Sequence, residues 1–173
     1  VLAFDVPIKG SLPSLLLGFN VPSLNTVSEP WEAHALRLLD AVLDGGYSAR
    51  LPSHLERGDA IATSVGTGYD AFTRGDSLFV FSGIPNEARK VDLPQLEAAI
   101  WKEIDAIKQT PPSTEELARV QAQVVAGLVY AQDNIMQQAN RIGELATVGL
   151  PWEMVDNDIE ALQAGTPEQI SEV

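Results

Sequence analysis

The sequence predicts an α+β fold: one mainly antiparallel sheet with its helices packed on one face. Three observations lead there. Short apolar, strand-like runs and a hairpin signal fill the first half, and from Asp92 onward the apolar residues fall at helical spacing. The order strand, helix, hairpin, helices lacks the alternating βαβ series of a doubly wound parallel sheet, so segregated helices are the economical solution.

Each element has its own signal. Leu15–Val21 (LLLGFNV) is short, apolar and followed by Pro22, as a buried strand would be. Ser28 and Pro30 start a helix whose apolar positions are Trp31, Ala35, Leu38, Leu39 and Val42, and Gly45 and Gly46 are placed to end it in the left-handed conformation. A short second helix is expected over Ala49–Glu56. Strands Ala60–Tyr69 and Ser77–Gly83 flank a turn region, Asp70–Asp76, and should pair as an antiparallel hairpin. Leu96, Ile100, Ile104 and Ile107 form one helical stripe that Pro111 and Pro112 terminate. Ser113 with Glu116 reads as a capping box opening a helix with Leu117, Val120, Val124 and Leu128 on one face, and helical character runs on through Ile135, Ile142 and Leu145 to Gly149. The helices containing Trp31, Ile100 and Val124 should cover the sheet, with Leu38, Ile100 and Ile104 buried.

With 173 residues and 45% hydrophobic composition, the chain is expected to form a single domain over residues 1–173. Acidic side chains outnumber basic ones 24 to 11, which opposes nucleic-acid binding because phosphate contacts need clustered Lys and Arg. The second half is the more negative, with four basic and fourteen acidic residues over 91–173. No apolar run reaches membrane-spanning length; the candidate Leu12–Phe19 is broken by Pro13 and Ser14. Without cysteine there are no disulfides, thiolate ligands or cysteine nucleophiles, and neither cytoplasm nor periplasm is excluded; periplasm is the favoured expectation. Thr166, Pro167 and Gln169 form a capping box with only four residues after Gln169, so the polypeptide is expected to be a fragment that continues past Val173 and to bury an apolar surface against the missing parts. Alone, the fragment should self-associate, an unpaired sheet edge being a favoured route.

The chemistry-bearing residues are few. A catalytic zinc site needs about three side-chain ligands, and the two histidines, His34 and His54, stand outside His-Glu-x-x-His and its inverse. His34 reads as an ordinary packed or helix-face residue. His54 with Glu56 lacks the Cys-x-x-Cys that a zinc deaminase needs. Asp156–Glu160 resembles the start of a calcium loop, but loop position 6 is not glycine and Pro167 stands where the bidentate glutamate belongs, so an acidic helix face is expected. Gly66-Thr67-Gly68 lacks the spacing of a phosphate or dinucleotide loop and reads as backbone bending in a strand. No metal, catalytic or substrate-binding residue is assigned in this chain.

The segment Leu39–Leu55, LDAVLDGGYSARLPSHL, resembles the "helix, Gly-Gly, x-Ser-x-Arg-Leu, x-x-x-Leu" stretch in the second, zinc-free domain of inverted-zincin metallopeptidases, the pitrilysin, insulin-degrading enzyme and mitochondrial processing peptidase family. Ala60-Ile61-Ala62, the Ser77–Gly83 strand, the Ser113-Thr-Glu-Glu-Leu helix start, Gly149-Leu-Pro and Thr166-Pro-Glu-Gln follow in the family's order. The resemblance implies a noncatalytic domain that helps enclose a peptide, with zinc and the peptide-bond chemistry in an upstream domain and a second half or subunit as further partners. It also implies, for the noncatalytic half of such enzymes, a peptide-orienting Arg-x6-Tyr pair; the matching positions here are Glu56 and Thr63, and shifting by one to Arg57 does not bring Tyr69 to the required spacing. Alternatives are a structural assembly subunit, like the core proteins of a respiratory complex that resemble this family, and a free-standing α+β binding module.

Overall fold

The computed structural model describes residues 4–7 and 12–173. Its elements are β1 (Leu15–Val21), α1 (Pro30–Asp44), a π-helical segment (Pro52–Gly58), β2 (Ala62–Tyr69), β3 (Ser77–Pro85), α2 (Leu93–Gln109), α3 (Thr114–Gln132), α4 (Ile135–Val148), α5 (Met154–Gln163) and α6 (Pro167–Glu172). The three strands form one antiparallel sheet in the order β1-β3-β2. Period-two alternation governs its faces: Ser77, Phe79, Phe81, Gly83 and Pro85 of β3 point into the core while Leu78 and Ser82 are exposed. The helices lie on that one face.

α1 is the central helix. Pro30 sits at its first position, where a missing N–H costs nothing, and its buried residues span far more than one stripe, from Ala33 to Leu43. One side packs on β2 and the other on α3, α5 and α6, whereas α2 packs on β3 and β1. Leu38, Leu96, Ile100 and Leu162 are fully buried where these layers meet. The expected cover of the sheet therefore needs correction: the Val124 helix, α3, lies chiefly against α1 as an outer layer. Ile104, expected inside, is only half-buried because it stands at the margin of α2, beside an apolar pocket.

Other local readings also shift. Ala49–Glu56 becomes a π-helical segment displaced toward Gly58, closed by an i→i−5 bond from Asp59 N–H to the His54 carbonyl (2.7 Å). Of the two glycines after α1, only Gly46 has positive φ (125°); Gly45, at φ −70°, is small for another reason, since a Cβ there would lie 2.2 Å from the Ala41 carbonyl oxygen. The Ser113 hydroxyl does accept from Glu116 N–H (3.1 Å), but the Glu116 side chain does not reach back. It takes a bidentate bond from Arg50 instead, at 2.9 and 2.8 Å, tying α3 to the start of the π-helical segment. Thr166 and Gln169 form the full reciprocal box expected of them.

Candidate functional site

The histidines are placed apart from each other's chemistry. His34 is buried on α1, where Arg37 Nη1 donates toward its Nδ1 at 3.4 Å and Asp158 Oδ1 lies 3.9 Å away. Burial, then the Arg37 charge, lower its pKa against the smaller raising effect of Asp158, which disfavours the protonated imidazole. His54 is exposed and pairs with Glu103 at 2.9 Å. Among the described residues no cluster of three His, Cys, Asp or Glu side chains is placed to hold a metal ion. The side chains present do not fit a catalytic zinc site, because each histidine is engaged by a separate ionic partner on a different element.

Glu56 and Thr63, the positions that align with the peptide-orienting pair, are occupied locally. Glu56 Oε1 accepts from Val65 N–H at 2.9 Å, and Thr63 Oγ1 donates to the Pro85 carbonyl at 3.4 Å. Arg57 donates to the Tyr47 carbonyl and to Ser53 Oγ (2.9 Å), with its guanidinium 3.8 Å from the Tyr47 ring centre. The Tyr69 hydroxyl donates to the Pro22 carbonyl at 2.6 Å, and burial pushes its pKa up to about 12. Each of the four side chains has a hydrogen-bond partner within the chain.

One concave feature has built polar chemistry: a cleft of about 660 Å³ between α1, α4, α5 and the β2–β3 turn. Its floor is Asp158, which receives Arg37 in a bidentate bond (Nη2 to Oδ2, 3.0 Å) and Arg141 at 3.5 Å. The Phe72 ring is contacted by both guanidiniums, Arg141 at 3.5 Å and Arg37 at 5.1 Å from its centre. Burial raises the pKa of Asp158, but the Arg37 bonds and the charges of Arg37, Arg141 and His34 outweigh it and leave the carboxyl below its ordinary value. With Glu144 on Arg141 at 3.0 Å, two guanidiniums face two carboxylates, so the cleft is ionically closed. The sequence reading of 156–160 as a solvated acidic face missed this. Val155, Asp158, Ile159 and Leu162 share one helical stripe, and an acidic residue on an apolar stripe is the signal that could have exposed it.

Comparison with known proteins follows the fold. A family model described as "Peptidase M16 inactive domain" matches residues 3–124. No curated protein matches. Among solved structures, a protease from Helicobacter pylori superposes with TM-score 0.80 at 16% identity, covering 92% of this chain and 37% of that one. The inactive peptidase domain of a candidate zinc protease from Bordetella parapertussis gives TM-score 0.79 at 14% identity over 96% of this chain and 84% of that one. A peptidase M16 inactive domain from Pseudomonas fluorescens gives 0.74 at 17%, over 92% and 36%. At these identities the likeness speaks to the fold alone. The chain spans little more than a third of the Helicobacter pylori protease.

Proposed function

Since the chain belongs to the peptidase M16 inactive-domain family, we propose that it serves as the noncatalytic second domain of a zinc-dependent metallopeptidase, packing beside a linked zinc domain and forming part of the wall that encloses a peptide. The family match over residues 3–124 is the observation that carries this reading. The local engagement of His34, His54 and Glu56 supports it, because each of these side chains already has a partner within the fold. In this reading the metal and the groups that activate water belong to the other domain, and peptide-bond hydrolysis is chemistry of the parent. This chain supplies rigid surface. Glu56 in place of an arginine favours the zinc-bearing half of such an enzyme over the half that orients the peptide, because an ionised carboxylate can only accept hydrogen bonds.

Complementation tests the proposal. The chain alone should retain no stoichiometric zinc after dialysis and cleave no peptide in a mixed-peptide digest. Added to an inverted-zincin domain that lacks its own inactive partner, it should raise chelator-sensitive cleavage at least about tenfold, the scale that water exclusion and substrate positioning supply. Unchanged cleavage at saturating concentrations of several such domains, or tight zinc with cleavage by the chain alone, would overturn it.

A further inference from the structure

Asp158 stands before two alternative donors on one turn of α1. His34 and Arg37 both face it: Arg37 holds it in a bidentate bond, and His34 Nδ1 lies 3.9 Å from Oδ1. Arg37 Nη1 is also 3.4 Å from that same Nδ1. A guanidinium only donates, so this contact needs an Nδ1 without a proton, and the arrangement is the one a neutral imidazole permits. Protonation reverses it. Nδ1 then becomes a donor with Asp158 Oδ1 as the acceptor beside it, and two cations stand 3.4 Å apart over one carboxylate.

The charge of the cleft follows from the same proton. Arg37 and Arg141 balance Asp158 and Glu144, whereas a charged His34 sets three cations against two carboxylates. Among the described residues, the charges that act on His34 are Arg37 and Asp158. Arg141 and Glu144 of α4 stand beyond Asp158, Tyr69 of β2 faces Arg37 as a neutral phenol, and α3 brings only the uncharged Leu128, Ala131 and Gln132 to the cleft. Burial and Arg37 hold His34 below its ordinary value, which puts the exchange in the acid range. The displaced guanidinium has somewhere to go: Arg37 already lies 5.1 Å from the centre of the Phe72 ring, and that ring lines the cleft. Leu128, Val155 and Ile159 add apolar wall, and about 660 Å³ is the size of a small-molecule pocket.

We infer that this cleft is an acid-gated site for a carboxylate that carries an apolar group. On protonation His34 takes over Asp158, and Arg37 turns into the cleft, where its fork pairs with the ligand's carboxylate while the apolar group rests on Phe72, Val155 and Ile159. At neutral pH Asp158 occupies the same fork and keeps the ligand out. The surplus positive charge selects an anion, the planar guanidinium selects a carboxylate, and the walls select its apolar substituent.

Titration calorimetry on the full chain tests this with N-acetyl-leucine as the probe and N-acetyl-leucinamide as its uncharged control. The acid should bind about tenfold more tightly at about pH 5 than at about pH 7.5, and the amide should bind weakly at both. Acid also lessens the general repulsion from a net charge of -13, a background that His34→Gln retains; that variant should keep less than about a threefold pH dependence. Nitrogen NMR of the unsubstituted chain gives a readout independent of folding: His34 Nδ1 should be unprotonated at about pH 7.5 and protonated at about pH 5. A tetrapeptide ending in leucine separates two sources of the same chemistry, since tighter binding than N-acetyl-leucine assigns the site to peptide C-termini and equal binding assigns it to small organic acids. Equal affinity for acid and amide, binding of the acid at neither pH, a full pH dependence in His34→Gln, or an Nδ1 proton at about pH 7.5 would overturn the inference.

Discussion

Asp158 shows how one residue ties distant parts of the chain together: on α5, it accepts from Arg37 on α1 and Arg141 on α4. Removing one member of a buried ion pair leaves the other charge uncompensated, so Asp158→Asn should destabilise the fold by about 3 kcal/mol, measured by urea unfolding. The pair is also pH-sensitive. The Asp158 carboxyl lies below its ordinary value when folded, so its contribution is complete above the unfolded value and is lost as pH falls through the folded one. His34 adds a second window in the same direction. Its folded pKa is lowered, the unfolded chain therefore takes up the proton first, and stability should begin to fall as pH drops below 6.5. Urea midpoints between about pH 7 and 5 should decline for the parent chain and decline less for His34→Gln. Equal slopes would remove His34 from the account.

Among the elements, α3 separates two roles that the sequence pattern merges. Ser113→Ala should cost about 1 kcal/mol through loss of its bond to Glu116 N–H. Glu116→Gln should instead break the charge-assisted fork with Arg50 and lose about 1–2 kcal/mol, discounted because both side chains are partly exposed. A double substitution of Glu116 and Arg50 separates the readings: coupling between them supports the fork, and additivity within about 0.5 kcal/mol contradicts it. The helix start itself was readable from Ser-x-x-Glu, because capping is local chemistry. Where the glutamate side chain goes was not, since its partner lies 66 residues away. The same holds for Gly66: bending explained it from sequence, but a Cβ there would come 2.6 Å from Asp44 Oδ2, which accepts from Thr67 N–H at 3.2 Å, so the carboxylate needs the space.

At the scale of the whole molecule, acidic excess shapes stability. Like charges brought together on folding repel, and salt screens them over a Debye length of about 10 Å at 0.1 M, so Tm should rise by a few degrees between about 20 and 300 mM sodium chloride. A falling Tm would show that the ion pairs around Asp158, Arg50 and Arg141 outweigh the net charge. The sequence by itself determined the fold class, the extent of β1, the hairpin, the starts of α2, α3 and α6, and the family resemblance, because period-two and helical spacing, caps and turn residues act within a few positions. The packing alone places α3 as an outer layer on α1, makes Asp158 a buried ionic anchor, and brings Glu56 and Asp44 onto the backbone N–H groups of β2. Those outcomes depend on which faces and charges meet across 9 to 121 residues of chain, a property of packing that no local pattern encodes.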